Sequence, residues 1–316
     1  MKILTTMPFP EWHRERLERT YPGILWRICR STGEALEFLP GADILVTYGD
    51  GLTAEVLRRA SKLRWIQSFA GGLEHIPFDV LREREITLTS AKGVHAVQAA
   101  EHTLGVMLAF VRQLPFFVRM QEQARWEDHV KLDEIHQKTV CIVGLGAMGM
   151  EIAHRALAFG MRVTGVNSDG RTVAEVHKTY PRDQIDLAIA EADFVVLAMP
   201  LTAASERRFG TREFSLMKRS AFLINIARGK VIDEPALVRA LQEGQIAGAA
   251  LDVFVEEPLP AESPLWKMPN VIITPHVAGR SPRYLDRALE IFETNLEAFL
   301  AEKPLPLNVV DLEKGY

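Results

Sequence analysis

Short apolar runs alternate with stretches of helical periodicity along the first third of the chain. Runs this short, bounded by Gly, Pro and polar residues, indicate buried strands, and the periodic stretches indicate helices. Strands that alternate with helices predict a mostly parallel, doubly wound sheet. The predicted strands are Lys2–Thr5, Ile24–Cys29, Asp43–Thr47, Trp65–Phe69 and Ile86–Thr89, and the predicted helices are Glu11–Tyr21, Gly33–Leu39 and Ala54–Ala60.

A second series of apolar runs predicts a second, larger α/β sheet further along the chain. Its strands are Thr139–Val143, Arg162–Val166, Phe194–Ala198, Phe222–Ile226, Ala249–Val253 and Val271–Thr274. After the last strand, Ser281 and Pro282 provide an N-cap and a first-turn proline for a C-terminal helix. No strand follows that helix, so we infer that it returns to the first domain, with crossings near Gln98 and Arg280.

Between the two series lies a long helical stretch, residues 97–126, with Pro115 as a kink or break. Its apolar positions include Leu104, Leu108 and Val111. The stretch is too long and too apolar for a plain connector. We therefore predict that it packs against another subunit and that the protein is a homodimer.

Composition narrows the class of protein. With 316 residues, 47% of them hydrophobic, the chain can bury two ordinary cores. The net charge of −4 and interspersed basic residues argue against nucleic acid and membrane surfaces as partners. Cys29 and Cys141 lie in apolar runs without Cys/His ligand spacing, which predicts core residues in a reducing compartment and no metal site. No signal-peptide or membrane-spanning run is found, so we expect a cytoplasmic protein.

A glycine fingerprint follows the strand predicted at Thr139–Val143. Its glycines would make a tight turn, let the backbone approach a pyrophosphate and allow close packing of helix on strand. The phosphates would then meet free amides at a helix N-terminus. This context predicts a dinucleotide site formed by Gly144, Leu145, Gly146, Ala147, Met148 and Gly149.

The cofactor preference depends on where the next strand ends. If it ends at Val166, Asn167 replaces the acid that would bind a ribose 2′-hydroxyl, and Ser168 and Arg171 could hold a 2′-phosphate. If the register shifts by two residues, Asp169 is that acid and NAD is preferred. We favour NADP and keep NAD as the alternative.

The fingerprint assigns a role to the second domain. The chain is predicted to be an α/β protein with two doubly wound parallel-sheet domains. A flavodoxin-like substrate (catalytic) domain, residues 1–98 and 281–316, would carry an inserted Rossmann dinucleotide-binding domain, residues 99–280.

Three charged or titratable residues follow apolar runs of the second series: Arg228, Glu257 and His276. Hydride transfer to a carbonyl that neighbours a substrate carboxylate requires three groups: a guanidinium that binds anions, a carboxylate and an imidazole. Each residue alone has an ordinary structural explanation. Together, at the ends of strands where open α/β sheets bind ligands, they predict an active site.

With these residues placed, the chain resembles the D-isomer-specific 2-hydroxyacid dehydrogenase family along nearly its whole length, and glyoxylate/hydroxypyruvate reductases in particular. The matching blocks besides the fingerprint are Ser68-Phe-Ala-Gly-Gly-Leu-Glu-His, Ala100-Glu-His-Thr, Met199-Pro-Leu-Thr, Leu223-Ile-Asn-Ile-Ala-Arg-Gly, Ala250-Leu-Asp-Val-Phe-Val-Glu-Glu-Pro and Ile273-Thr-Pro-His-Val-Ala-Gly.

The resemblance implies the role of each catalytic residue. Arg228 would clamp the carboxylate and keto oxygen of the substrate, and His276 would be the acid/base. Glu257 would orient His276 and raise its pKa. A glutamine occupies that position in the related formate dehydrogenase branch, so Glu257 argues for the acid/base dehydrogenase type.

The resemblance also implies binding residues. Backbone amides of Gly71, Gly72 and Leu73 would hold the substrate carboxylate, with His75 and His95 as candidate neighbours, while His102 and His129 are interpreted as structural. Asp252 would bind the nicotinamide carboxamide edge, and Ser205 stands where the family often has threonine. Further cofactor contacts are expected from Met199, Pro200, Thr202, Ile226, Ala227 and Gly279.

The predicted function is NAD(P)H-dependent reduction of a small 2-keto acid, such as glyoxylate or hydroxypyruvate, to the (R)-2-hydroxy acid. Two alternatives remain. One is oxidation of 3-phosphoglycerate, although no regulatory domain is appended to the chain. The other is a cofactor-sensing binding protein like the co-repressor relatives of these enzymes, although the chain lacks disordered interaction tails.

Overall fold

The structure is a computed structural model and describes residues 1–70, 72–73 and 76–313. It divides into two compact units, Met1–Val94 with Pro282–Tyr316, and His95–Ser281. Each unit contains one parallel β-sheet flanked by helices. The predicted α/β class with two doubly wound parallel sheets is confirmed.

The sheet of the first unit has five strands in its described part, in the order β2-β1-β3-β4-β5. This is the flavodoxin-like order. The strands are β1 Lys2–Thr5, β2 Leu25–Ile28, β3 Ile44–Thr47, β4 Trp65–Ser68 and β5 Thr87–Ser90, and the helices are α1 Glu11–Thr20, α2 Thr32–Ala35, α3 Ala54–Arg59 and α4 Phe78–Glu83. Strands β3 and β4 are buried along their whole length. Strand β3 is mostly apolar, whereas β4 ends in the buried polar residues Gln67 and Ser68.

The sheet of the second unit has seven strands, in the order β12-β11-β10-β9-β6-β7-β8. Strand order reverses between β6 and β9, and ligands bind open α/β sheets beside the carboxyl ends at such a point. The strands are β6 Thr139–Val143, β7 Arg162–Asn167, β8 Lys178–Pro181, β9 Phe194–Leu197, β10 Phe222–Asn225, β11 Gly248–Leu251 and β12 Val271–Ile273.

The helical stretch predicted over residues 97–126 is two helices, α5 Ala96–Val111 and α6 Leu114–Glu122. Gln113 between them adopts a left-handed conformation, with φ 54°. Pro115 lies in the first turn of α6, a position that proline favours, so it begins the second helix and does not kink the first.

In the described part of the chain, no single helix is long and apolar enough to span a bilayer. Helices α5 and α6 have that length and apolar composition only when taken together, and they are bent by 67° at the break between them.

The remaining helices are α7 Ala147–Ala158, α8 Ile185–Ala190, α9 Thr211–Leu216, α10 Glu234–Gln242 and α11 Tyr284–Leu300. Helix α11 belongs to the first unit, where Phe292 stacks on Trp65 of β4 with ring centroids 5.4 Å apart. The predicted start of this helix is wrong. Arg283 is its N-cap, so Ser281 and Pro282 precede the helix.

Candidate active site

The glycine fingerprint forms a cradle between β6 and α7. Gly144 has φ 107°, and a Cβ there would lie 2.7 Å from the backbone nitrogen of Met199. A Cβ on Gly149 would lie 2.0 Å from the carbonyl oxygen of Gly144, whereas one on Gly146 would meet nothing within 4 Å. Gly146 is the N-cap of α7 and has no side chain to satisfy the first amides of the helix. The cradle thus has the open space and free donors that a pyrophosphate requires.

The loop after β7 bears on the cofactor preference. Strand β7 ends at Asn167, one residue later than predicted, and Asn167 pairs with Pro181 of β8. The Asn167 side chain accepts a hydrogen bond from the Gly170 amide (2.6 Å) and donates one to the Arg171 carbonyl (2.9 Å). This fixes the turn and leaves the Ser168 and Arg171 side chains exposed.

The loop after β9 contains Met199, Pro200, Thr202 and Ser205. The Ser205 hydroxyl donates to the Pro200 carbonyl and accepts from the Thr202 amide, both at 2.7 Å. The serine that departs from the family pattern therefore stabilises the loop itself. Ile226 and Ala227 are buried directly after the neighbouring strand β10, where the Asn225 side chain accepts from the Ala227 amide at 3.0 Å.

Asp252 is buried and holds the segment that contains His276. Its Oδ1 accepts from the Thr274 hydroxyl (2.6 Å) and the Val277 amide (2.9 Å). Its Oδ2 accepts from the Ala278 amide at 2.9 Å, and its backbone carbonyl accepts from the His276 amide at 2.8 Å. Residues 274–278 are thereby folded around one carboxylate.

His276 and Glu257 form a hydrogen-bonded pair. Nδ1 of His276 lies 2.8 Å from Oε2 of Glu257, and Oε1 of Glu257 accepts from the Phe254 amide at 3.0 Å. His276 has φ 52°, a conformation that a non-glycine residue adopts only when its surroundings require it. Half of its side chain is exposed, and the hydrogen bond with Glu257 uses Nδ1.

The pKa of Glu257 lies below its ordinary value. Burial acts in the opposite direction and raises the pKa. The hydrogen bonds with His276 and the Phe254 amide outweigh burial, and the positive charges of His276 and Arg228 add to them. Glu257 is therefore held as a carboxylate.

Arg228 follows β10 and lies close enough to Glu257 for its charge to act on that carboxylate. Its Nη1 donates to the Ala227 carbonyl at 2.8 Å, and its own carbonyl accepts from the Asn225 side chain at 3.1 Å. A Cβ on Gly229 would lie 1.9 Å from the carbonyl carbon of Phe254. This glycine lets the arginine segment approach the segment that carries Glu257.

The predicted trio is thus gathered in the second unit. Burial lowers the pKa of His95, and the charges of the nearby Arg228 and His276 lower it further. Nδ1 of His95 lies 2.9 Å from the Gly279 carbonyl oxygen. Two further residues near this site were not predicted to be functional: no role was assigned to Gln98, and His102 was interpreted as structural. Their contacts join segments that are far apart in the chain, so no local pattern in the sequence indicates them.

The predicted substrate loop belongs to the first unit. Gly71 and His75 lie outside the described residues. Gly72 and Leu73 are half-buried, and the Leu73 carbonyl accepts from the Ile76 amide at 3.0 Å. A cavity of about 450 Å³ in this unit is lined by Gly49, Asp50, Gly51, Leu52, Thr53, Ile76 and Pro77.

Comparison with known proteins identifies the chemistry that this arrangement serves. Residues 104–278 match the family model described as "D-isomer specific 2-hydroxyacid dehydrogenase, NAD binding domain". A glyoxylate reductase of Korarchaeum cryptofilum is 33% identical over 99% of this chain and 96% of its own length.

Two further matches bear on the cofactor and on the alternative function, oxidation of 3-phosphoglycerate. An NADPH-dependent glyoxylate/hydroxypyruvate reductase of Sinorhizobium meliloti, solved with NADP and sulfate, superposes with a TM-score of 0.85 at 26% identity, over 100% of this chain and 99% of that one. A D-3-phosphoglycerate dehydrogenase of Methanocaldococcus jannaschii is 38% identical over 87% of this chain but 53% of its own length. The predicted enzyme class and NAD(P) cofactor are confirmed, and the chain belongs to the D-isomer specific 2-hydroxyacid dehydrogenase family.

Proposed function

We propose that this enzyme reduces a small 2-keto acid to the (R)-2-hydroxy acid with a reduced nicotinamide cofactor. The observation that carries the proposal is the His276–Glu257 pair at 2.8 Å, with Arg228 near enough to act electrostatically on the carboxylate. A proton donor, its orienting carboxylate and a planar cation form one cluster. This is the set of groups that carbonyl reduction beside a carboxylate requires.

Each residue has one task in the reaction. A reduced nicotinamide held by the glycine cradle would supply the hydride that the carbonyl carbon accepts. His276 donates its Nε2 proton to the carbonyl oxygen, which takes up the electron pair of the C=O bond. Glu257 fixes the ring through Nδ1 and stabilises the imidazolium before the proton leaves. Arg228 binds the carboxylate and polarises the keto oxygen.

Glyoxylate and hydroxypyruvate are the substrates we infer. Relatives of the same length as this chain are named for them. The phosphoglycerate dehydrogenase relative is nearly twice as long as the region it shares with this chain. We keep 3-phosphoglycerate oxidation as the second candidate because identity to that relative is the higher of the two, at 38% against 33%.

We infer a preference for NADP over NAD. The side chain at the end of β7 is an amide that is engaged within its own turn, so no carboxylate is positioned there for the ribose 2′-hydroxyl. Ser168 and Arg171 are exposed on the same turn and can bind a 2′-phosphate. Asp169 accepts a hydrogen bond from the Arg171 amide at 3.2 Å, which favours a role within the turn.

We propose a homodimer through residues 97–126, with α6 as the main part of the interface. The apolar side chains of α5 at Leu104 and Val111 belong to the core of their own unit. Helix α6 has no buried residue, and Leu114 and Val118 are half exposed on one face of it. Trp126 is 95% exposed. A second copy of the chain would cover these side chains.

We also infer a reducing, cytoplasmic location. Cys29 and Cys141 are free and buried. Their positions suit a compartment in which thiols stay reduced.

The first experiment uses the purified protein to measure oxidation of NADPH and of NADH by glyoxylate and by hydroxypyruvate, and reduction of NADP and of NAD by 3-phosphoglycerate. Turnover of the keto acids with NADPH, abolished in Arg228→Ala and His276→Ala variants that still bind cofactor, supports the proposal. Turnover of 3-phosphoglycerate alone would assign the second candidate. Cofactor binding with no turnover of any of the three acids would contradict both.

A further inference from the structure

The first turns of α5 carry a row of polar side chains that contact the histidine loop, defined here as residues 274–279. His95, Gln98 and His102 are spaced i, i+3 and i+7, so they share one face of the helix. All three belong to the second unit, as does the loop.

Two of the three side chains meet at one carbonyl group. The Gly279 carbonyl oxygen lies 2.9 Å from Nδ1 of His95 and accepts from the Gln98 side chain at 2.8 Å. A carbonyl oxygen can only accept, so His95 donates through Nδ1–H, and both lone pairs of that oxygen are used. The end of the loop is thus bound to α5 by two donors.

The third side chain, that of His102, contacts the same loop at the Thr274 hydroxyl. The Thr274 hydroxyl donates to Asp252, and Nε2 of His102 lies 3.4 Å from that hydroxyl oxygen. Since the hydroxyl proton is already committed to a carboxylate, His102 donates through Nε2–H. The two histidines therefore present opposite ring nitrogens, one at each end of the loop.

Both rings are shifted toward the neutral form. Burial lowers the pKa of His95, and the charges of Arg228 and His276 lower it further, against the hydrogen bond with Gly279. Burial likewise lowers the pKa of His102, against the charge of Asp252. Each imidazole thus keeps one donor and one acceptor nitrogen at neutral pH.

The left-handed backbone at His276 needs such support. A residue with positive φ and a β-carbon keeps that conformation only when its neighbours define it. Asp252, directly after β11, binds amides in the middle of the loop, and side chains of α5 and its N-cap contact both ends.

We infer that His95, Gln98 and His102 are positioning residues that hold the histidine loop, and through it His276, in the geometry for proton transfer. The inference rests on the proposed role of His276. It assigns these residues no contact with substrate or cofactor.

Asparagine and glutamine substitutions test which ring nitrogen of each histidine must donate. The asparagine amide reproduces an Nδ1 donor, and the glutamine amide reproduces an Nε2 donor. The variants are therefore His95→Asn and His102→Gln as matched replacements, with His95→Gln and His102→Asn as swapped ones. Glu101→Ala, on an exposed position of the same helix, is the control.

The first readout is amide hydrogen exchange in residues 274–280, which requires no substrate. The swapped variants should exchange about tenfold faster there, and the matched variants and control should stay within about twofold of wild type. The second readout is steady-state kinetics with NADPH and glyoxylate. The swapped variants should lose about tenfold in kcat, with KM for the keto acid within about twofold.

The outcomes separate this inference from the proposed function. Faster exchange in the swapped variants of a protein that turns over no keto acid would support the positioning role and contradict the function. Normal turnover with unchanged exchange in all four variants would overturn the positioning role. So would equal losses in matched and swapped variants, or a raised KM with kcat unchanged, which would make His95 a substrate contact.

Discussion

Nδ1 of His276 lies 2.8 Å from Oε2 of Glu257, and the second oxygen of that carboxylate is held by the Phe254 amide. The pKa of Glu257 lies below its ordinary value, so its negative charge persists through neutral and mildly acidic pH. The ring that donates the proton in reduction therefore has a carboxylate against its Nδ1.

We therefore expect kcat/KM for keto-acid reduction to fall as pH rises. In Glu257→Gln the fall should begin at lower pH, because a neutral amide replaces the carboxylate that contacts Nδ1 of the proton donor. The pH–rate profile measures this, with the exposed neighbour Glu256→Gln as control. An unchanged profile in Glu257→Gln would remove Glu257 from its proposed role.

The second prediction concerns the exposed side chains after β7. Arg171→Ala should raise KM for NADPH about tenfold and leave KM for NADH within about twofold, because only the former cofactor presents a 2′-phosphate. Arg182→Ala, in the 3-10 turn after β8, is the control for loss of a nearby positive charge. Equal effects on the two cofactors would show that Arg171 does not discriminate between them.

The third prediction uses two glycines of one fingerprint. Gly149→Ala should lower the melting temperature, since its Cβ would lie 2.0 Å from the Gly144 carbonyl oxygen. Gly146→Ala has open space around its Cβ and should fold normally, yet bind NADPH at least about tenfold more weakly by occupying the pyrophosphate position. Thermal melts and cofactor titrations test both. Tight binding by Gly146→Ala would place the phosphates elsewhere.

The fourth prediction concerns the buried carboxylate of Asp252, which binds the histidine loop. Asp252→Asn turns an acceptor into a donor that faces a backbone amide. It should lower the free energy of unfolding by about 2 kcal/mol and reduce kcat. Urea denaturation measures the first effect, with the exposed Asp169→Asn as control. Wild-type stability in Asp252→Asn would mean that the loop does not depend on this carboxylate.

The fifth prediction tests the proposed dimer. Val118→Glu introduces a charge on the unburied helix α6 and should shift the protein to monomer in sedimentation velocity. Leu187→Glu, on an equally exposed position of α8, should leave the assembly intact. A dimer that survives Val118→Glu would locate the interface away from α6.

Much of the fold was predictable because its central strands are buried on both faces. Strands such as β3, β9 and β10 are continuous apolar runs that no solvent-facing residue interrupts. Strand β8 was missed for the opposite reason. It lies at the sheet edge, ends in Pro181 and buries only Tyr180, so its four residues lack the apolar pattern.

The candidate site was predictable to the extent that its residues follow recognisable strands. Arg228, Glu257 and His276 were found in that way. The supporting contacts were not, because they join segments far apart in the chain. Gln98 lies 181 residues from Gly279, and no local periodicity reports that hydrogen bond.

The turn at Asn167 has a consequence for how this enzyme can evolve. Its side chain is committed to backbone atoms of its own loop, and the neighbouring side chains that a cofactor would meet are exposed. Exposed positions accept substitution at little cost in stability. Selection can therefore exchange one nicotinamide cofactor for the other by changing surface residues, while the strand, the turn and the glycine cradle stay as they are.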